Sequence, residues 1–219
     1  MKKILLFDLD GTLTDPKEGI TKCVQYALKH FGIESETEEL MCFIGPPLVD
    51  SFKEFYKMSE DDALVAVEKY RERFRDIGIF ENGVYVGISH MLSKCKDMGY
   101  IIGLATSKPE EFAIRILEKY ELAKYFDEIT GSTMDGSRNN KTDVIREAFA
   151  RMNITECNLD EVLMIGDREH DIIGAKNCGI ESVGVNFGYA LDGELQAAGA
   201  DYIVDSVNEL EDLLERLGR

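Results

Sequence analysis

The sequence has little positive charge and no long apolar segment. Its 25 lysine and arginine residues are outnumbered by 42 aspartate and glutamate residues, which gives a formal net charge of −17. Nucleic acids and anionic membranes bind through basic surfaces, so this balance argues against non-specific binding to either one. No apolar run approaches the length of a membrane span. A small anionic substrate remains open, because a pocket can carry local positive charge or a metal ion.

Cysteine pairs at metal-binding or redox spacing are also missing. The five cysteines are odd in number and widely spaced, with no CxxC motif. This pattern predicts a reduced, cytoplasmic protein without a disulfide framework or a cysteine metal site. The three histidines lack metal-ligand spacing as well. The apolar run after Met-Lys-Lys is four residues long and stops at an aspartate, so we expect no signal peptide.

The chain begins with one strand, continues through a helical block, and then alternates strands with helices. From about residue 16 to about residue 82 the pattern is helical, and the apolar stripe between Ile20 and Phe31 indicates an amphipathic helix. A second long helix is expected over 60–76. From residue 83 onward, strands that are apolar throughout alternate with helices, which indicates a parallel sheet covered on both faces. We therefore predict an α/β, Rossmann-like core from residues 1–14 and 83–219, interrupted by a helical segment at 15–82.

Polar residues directly after the predicted strands are the candidate chemical groups. In open parallel sheets, ligands bind beyond the carboxyl ends of the strands. Four strands deliver four carboxylates, two hydroxyls and one lysine to that edge: Asp8, Asp10, Asp167, Asp171, Thr106, Ser107 and Lys141. Four carboxylates in one site would repel one another strongly. A hard divalent cation with oxygen ligands offsets that repulsion, and Mg2+ suits a site that also binds phosphate.

This set of groups suits phosphoryl transfer, in which the protein supplies positioning and charge stabilisation. Asp8 is the candidate nucleophile and would form an aspartyl-phosphate. Asp10 is the candidate acid that protonates the leaving oxygen and then the base that activates water. Backbone N–H groups near Asp8 and Thr106 would add phosphate donors. The candidate phosphate-binding residues are Thr106, Lys141, Leu9, Gly11, Thr12, Ser107 and Lys108, and the candidate metal-binding residues are Asp8, Asp10, Asp167 and Asp171.

Several of these residues also have purely structural interpretations. The stretch 107–110 fits the S-x-x-E capping box with a proline in the first turn, and capping is the favoured role of the Ser107 side chain. Lys141 alone could be a solvated lysine, although a cation at a helix start opposes the helix dipole and favours nearby carboxylates or an anion. Pro46 lies in a Gly-Pro-Pro turn signal. That turn either only joins two helices or, with Lys108, faces the leaving group and selects substrate.

The sequence resembles the haloacid dehalogenase superfamily of phosphatases over essentially the whole chain. FDLDGTLTD matches its first motif, ATSK its second, Lys141 at a helix start its third, and GDREHD its fourth, in the family order. The segments GITKCVQYALKHFGI and FIGPPLVDSF resemble the phosphoglycolate phosphatase-like and 5′-nucleotidase-like branch. The resemblance implies that residues 15–82 are an α-helical cap domain. It also implies that Mg2+ is held by Asp8, by Asp167 and by the backbone carbonyl of Asp10.

We therefore predict a Mg2+-dependent phosphomonoester hydrolase for a small phosphorylated metabolite, acting as a monomer or homodimer. Phosphoglycolate, a 5′-nucleotide, a sugar phosphate and phosphotyrosine all remain open as substrates. The first alternative is a phosphosugar mutase of the same superfamily, for which the helical segment would need extra polar groups that do not stand out. A phospho-accepting switch module is a second alternative, but such modules are shorter and lack an acid at the position of Asp10.

Overall fold

The computed structural model describes residues 1–218 and divides into two compact units. One unit contains Met1–Thr14 and the chain from Val84 onward, and the other contains Asp15–Gly83. That the second unit acts as a cap domain, with boundaries at 15 and 82, stays a prediction. Within residues 1–218, no helix is both long enough and apolar enough to cross a bilayer.

Eight strands occur within the described residues, and six of them build one parallel sheet. In chain order the strands are β1 Ile4–Phe7, β2 Thr14–Asp15, β3 Gly83–Val84, β4 Ile101–Pro109, β5 Glu128–Ser132, β6 Val162–Gly166, β7 Glu181–Val185 and β8 Tyr202–Val204. The large sheet has the order β5-β4-β1-β6-β7-β8, and β2 pairs with β3 separately. All pairings in the large sheet are parallel. The predicted α/β parallel-sheet fold is confirmed.

The first strand lies at the centre of the sheet, although it is separated in sequence from its neighbours. Its four apolar residues are all buried, as expected for a strand covered on both faces. Phe7 lies level with Leu104 of β4 and with Ile165 of β6. The residues that follow Phe7, Leu104 and Ile165 therefore continue from the same height toward one edge of the sheet.

The unit formed by residues 15–83 is helical. Its α-helices are α1 Lys17–His30, α2 Leu48–Tyr56 and α3 Glu60–Phe74, with 3-10 turns at Thr37–Phe43 and Gly78–Phe80. α1 packs against α3. The predicted apolar stripe is buried along α1, at Ile20, Cys23, Val24, Ala27 and Leu28. The Ser59 hydroxyl accepts the Asp62 N–H and so caps the start of α3.

Among the described residues, six α-helices accompany the large sheet: α4 Ile88–Asp97, α5 Glu110–Lys119, α6 Lys141–Met152, α7 Glu169–Asn177, α8 Glu194–Ala198 and α9 Val207–Leu217. α6 packs against β4 and β5, and α7 packs against β6 and β7. Leu6 of β1 belongs to an apolar cluster that also contains Val144 and Ile145 of α6 and Ala175 of α7. This cluster anchors the helices whose first turns carry candidate site residues.

The predicted capping role of Ser107 is wrong. β4 does not stop at Ala105 but continues to Pro109, which pairs with Ser132 of β5 beyond a break in register. The helix begins at Glu110, its N-cap is Pro109, and no side chain caps it. Strand pairing therefore overrides the local capping signal, and Ser107 lies half-buried in an irregular segment of β4. The short helix α8 is a further element that the sequence pattern did not reveal.

Leu6 gives a test of the core. Its side chain is fully buried in the cluster between β1, α6 and α7, so Leu6→Ala removes apolar contacts and leaves a cavity. We expect the free energy of unfolding to fall by about 2–5 kcal/mol, measured by urea denaturation. Leu191→Ala is the matched control, because Leu191 is 73% exposed and its truncation should change stability by less than about 0.5 kcal/mol. Equal losses in the two variants would contradict the assigned core.

Candidate active site

The level residues Phe7, Leu104 and Ile165 bring separate parts of the chain to one place. Asp8 follows β1 directly, and its N–H donates to the carbonyl of Ile165 at 2.9 Å. Thr106 lies just beyond the level part of β4, and Asp167 follows β6. All three are buried, at 7%, 1% and 1% exposed respectively. The strand-end residues predicted from the sequence therefore converge within one unit.

Three carboxylates form a buried acidic cluster, defined here as Asp8, Asp167 and Asp171. Each offers an oxygen atom, and the three oxygens lie within 4.8 Å of one another. Burial raises the pKa of Asp167 well above its ordinary value, and the charges of Asp171 and Asp8 raise it further. Oxygen ligands at this spacing are suited to a hard divalent cation.

Lys141 pairs with two members of the acidic cluster. Its Nζ lies 2.6 Å from Asp8 Oδ1 and 2.7 Å from Asp171 Oδ1, and it donates to the carbonyl of Ala105 at 2.8 Å. Burial opposes the charge of Lys141, but Asp171 and Asp8 outweigh it and raise the pKa above the ordinary lysine value. The alternative of a solvated lysine is wrong, since Lys141 is 5% exposed.

Lys141 reaches the cluster because it is the first residue of α6. The N-cap is Asn140, whose side-chain oxygen accepts the Asp143 N–H at 2.9 Å and so fixes the start of the helix. The predicted helix start at Lys141 is confirmed. The unfavourable position of a cation at a helix N-terminus is offset by the two carboxylates that it contacts.

Asp167 is held by donors from two different loops. Thr12 donates its hydroxyl to Asp167 Oδ1 at 3.3 Å, and the Tyr189 N–H donates to Asp167 Oδ2 at 2.8 Å. Gly11 and Gly188 pack against this carboxylate so closely that a Cβ on either would lie 2.1 Å or 2.4 Å from an Asp167 side-chain atom. Gly11 also has φ +85°, a conformation that glycine adopts without strain. Both glycines therefore make room for Asp167.

Asp171 is fixed by the turn that precedes α7. The Arg168 N–H donates to Asp171 Oδ2 at 3.1 Å, while Oδ1 of the same carboxylate pairs with Lys141. Asp171 thus caps the helix start and contributes to the acidic cluster at once. Gly166 lets the turn close, since a Cβ there would lie 2.2 Å from Asp171 Cγ.

Asp10 forms a separate ion pair with Lys108. The Lys108 Nζ contacts Asp10 Oδ2, and both side chains are largely buried. The other oxygen, Asp10 Oδ1, is buried and accepts no hydrogen bond. Burial raises the pKa of Asp10, Lys108 opposes this shift, and the charge of Asp8 adds to it. The Lys108 N–H donates to Thr106 Oγ1 at 3.2 Å, which ties this pair to the irregular segment of β4.

Of the other predicted phosphate-binding residues, all but Pro46 lie in the same unit as the acidic cluster: Leu9, Gly11, Thr12, Ser107 and Lys108. The Leu9 carbonyl accepts the N–H groups of Thr12, Leu13 and Thr14, and the Gly11 N–H donates to the carbonyl of Thr14. Pro46 belongs to the other unit, before α2. The phosphate contacts assigned to Leu9, Gly11, Thr12, Ser107, Lys108 and Pro46 stay predictions.

Sequence reasoning missed Gly188 and Tyr189, which both contact Asp167. They lie in the loop after β7, at the same edge of the sheet as the predicted residues. The strand-end rule applied to β7 would have found this loop. In the sequence only polar side chains mark this edge, whereas Tyr189 contributes a backbone N–H and Gly188 contributes the absence of a side chain.

Three relatives of known description are similar to nearly all of this chain. A 5′-nucleotidase of Pseudomonas aeruginosa is 41% identical over 212 residues, which cover 96% of this chain and 95% of that protein. The tyrosine-protein kinase PtkA of Mycobacterium tuberculosis is 33% identical over 218 residues, which cover 99% of this chain and 72% of the kinase. A phosphoglycolate phosphatase of Vibrio parahaemolyticus is 29% identical over 217 residues, covering 95% and 94%.

Solved structures and a family model give the same assignment. The crystal structure of a predicted phosphatase from Clostridium acetobutylicum is 47% identical, covers 99% of both chains and superposes with a TM-score of 0.94. The family model described as haloacid dehalogenase-like hydrolase matches residues 5–185. The predicted superfamily, its phosphoglycolate phosphatase-like and 5′-nucleotidase-like branch, and the prediction of an enzyme are confirmed. The chain belongs to the haloacid dehalogenase-like hydrolase family.

Proposed function

We propose that this protein is a Mg2+-dependent phosphomonoesterase that hydrolyses a small phosphorylated metabolite through an aspartyl-phosphate on Asp8. The observation that carries the proposal is the burial of Asp8 beside Lys141, Asp167 and Asp171. The names of the 5′-nucleotidase and phosphoglycolate phosphatase relatives support it. They leave several small phosphate esters open as the substrate.

The acidic cluster fits a divalent cation. One oxygen from each of its three carboxylates lies within 4.8 Å of the other two. Gly11 and Gly188 have no side chain and so leave space for the Asp167 carboxylate. We assign Asp8, Asp167 and the backbone carbonyl of Asp10 as the Mg2+ ligands, with Asp171 beside them. When bound, Mg2+ would neutralise charge on the phosphate and on the carboxylates.

The proposed reaction has two chemical steps, and each of the site residues has a role in one or both. In the first, an Asp8 oxygen forms a bond to phosphorus, the bond to the leaving oxygen breaks, and Asp10 donates a proton to that oxygen. In the second, Asp10 takes a proton from water, the water oxygen bonds to phosphorus, and the Asp8–phosphorus bond breaks. Lys141 and Thr106 hold phosphate oxygens during both steps.

Several further assignments belong to the same proposal. Residues 15–82 are proposed as the cap, and Pro46 and Lys108 as contacts to the leaving group. We propose a cytoplasmic location and a monomer or homodimer.

A protein kinase is the second candidate function, because the PtkA relative has that name. The phosphatase is favoured by the largely buried acid at Asp10, two residues beyond the proposed nucleophile. An acid there would activate water against a phosphorylated Asp8 and so favour hydrolysis. Parallel incubations with labelled ATP plus a tyrosine peptide, and with an aryl phosphate, separate the two: net transfer of label to the peptide supports the kinase, whereas release of inorganic phosphate from the aryl phosphate without such transfer supports the phosphatase.

Asp8→Asn should abolish hydrolysis of an aryl phosphate, with a loss on the order of a thousandfold or more, because an amide oxygen is a much weaker nucleophile. Activity is measured as release of the phenol at saturating Mg2+. Asp212→Asn is the matched control, since Asp212 is an exposed acid of α9 in the same unit. Retained activity in the Asp8 variant would refute the nucleophile assignment.

Asp10→Asn should trap the phosphorylated protein. An aryl leaving group needs no proton, so the first step proceeds, whereas the second step lacks its base. Covalently bound phosphate is measured by intact mass after acid quenching with an aryl phosphate. The double variant Asp8→Asn with Asp10→Asn should carry none. Absence of bound phosphate in the single variant would count against the covalent route.

Removal of divalent cations with EDTA should abolish the phosphatase activity, and added Mg2+ should restore it, because the acidic cluster needs a cation to bind an anionic substrate. Mg2+ should also raise the unfolding temperature of the wild type. Asp167→Asn should lose this rise, and Asp212→Asn should keep it. Full activity in EDTA, together with no effect of Mg2+ on unfolding, would refute the metal assignment.

A further inference from the structure

The Glu194 carboxylate joins two segments that also meet at Asp167. Its side chain is 8% exposed. Oε1 accepts from Arg168 Nε and from the Glu169 N–H, both at 2.8 Å. Oε2 accepts the Leu191 N–H at 2.9 Å. One carboxylate therefore links the acid turn, defined as residues 167–171, to the β7 loop, defined as residues 186–193.

Both linked segments act directly on the acidic cluster. The acid turn carries Asp167 and Asp171, and its Arg168 N–H donates to Asp171 Oδ2. The β7 loop supplies the Tyr189 N–H to Asp167 Oδ2 at 2.8 Å. A shift of one segment against the other would change the direction in which Asp167 presents its oxygens. The position of Asp167 thus depends on how firmly the two segments are joined.

The donors around Glu194 require an ionised carboxylate. Burial opposes the charge of Glu194, but Arg168 and the N–H groups of Leu191 and Glu169 outweigh it and lower the pKa. Both carboxylate oxygens serve only as acceptors, one for each segment. A glutamine at this position would present one NH2 group to an N–H or guanidinium donor and would lose one of the two links.

We propose that Glu194 is a positioning residue that joins the acid turn to the β7 loop and thereby sets the affinity of the acidic cluster for Mg2+. The inference rests on the proposed metal site. Glu194 acts through the backbone of the two segments and does not itself serve as a ligand. Residues that orient metal ligands from behind in this way typically change metal affinity by about 10–100-fold when they are substituted.

Glu194→Gln tests the proposal. We expect the Mg2+ concentration that gives half-maximal activity to rise at least about tenfold. The activity deficit should be largest at low Mg2+ and should narrow as Mg2+ is raised. In the protein without substrate, the Mg2+-induced rise in unfolding temperature should require correspondingly more Mg2+. The unfolding temperature without Mg2+ is recorded for each variant, so that a general loss of stability is separated from a change in Mg2+ binding.

Glu211→Gln is the matched control, because Glu211 is another helical glutamate, 17% exposed, paired with Lys94 at 2.6 Å. It should leave the Mg2+ dependence unchanged. Glu194→Asp keeps the charge but is one methylene shorter, so we expect a smaller rise in the Mg2+ concentration for half-maximal activity than in Glu194→Gln. If the glutamine variant fails to fold, the aspartate variant tests the proposal in its place. If the Glu194 variants keep the Mg2+ dependence of the wild type, this inference is wrong while the metal assignment stands. A wild type that ignores Mg2+ overturns the metal assignment and this inference with it.

Discussion

The contacts of Lys141 with Asp8 and Asp171 are the interaction on which the rest of the site depends. Three carboxylates with oxygens within 4.8 Å of one another repel strongly in a buried place. Lys141 offsets part of that repulsion, while Asp167 relies on the neutral donors Thr12 and Tyr189. With all three acids ionised, their negative charge still exceeds that of one ammonium group. This excess is the physical reason for proposing a divalent cation there.

Backbone geometry gives this charged cluster its shape. Gly11 and Gly188 allow two loops to approach Asp167 more closely than any larger residue would permit. The irregular stretch of β4 carries Lys108, which contacts Asp10, whereas Lys141 contacts Asp8 and Asp171. The fold therefore gives its acids different partners, which is how chemically identical side chains come to have the different proposed roles of nucleophile, proton carrier and metal ligand.

The sheet and the acidic cluster could be predicted because both rest on patterns that are local in sequence. Buried parallel strands appear as short apolar runs, and a polar residue after each run marks the ligand-binding edge. The capping prediction for Ser107 is wrong because the capping signal is local in sequence, whereas the pairing of Pro109 with Ser132 is not. The Tyr189 N–H and the Lys108–Asp10 pair were missed for a related reason. A backbone donor has no residue-type signature, and pairing of distant charges requires the tertiary fold.

The central place of β1 has a consequence for how the protein is made. Ile4 pairs with Ile101 on one side and with Val162 on the other, so β1 leaves the ribosome well before the two segments that it pairs with. Until then its apolar residues lack their partners, and such long-range pairing is slow to form. Asp8 can be seated only once translation has passed β6. During synthesis, the nascent chain therefore carries the proposed nucleophile well before it holds an assembled catalytic centre.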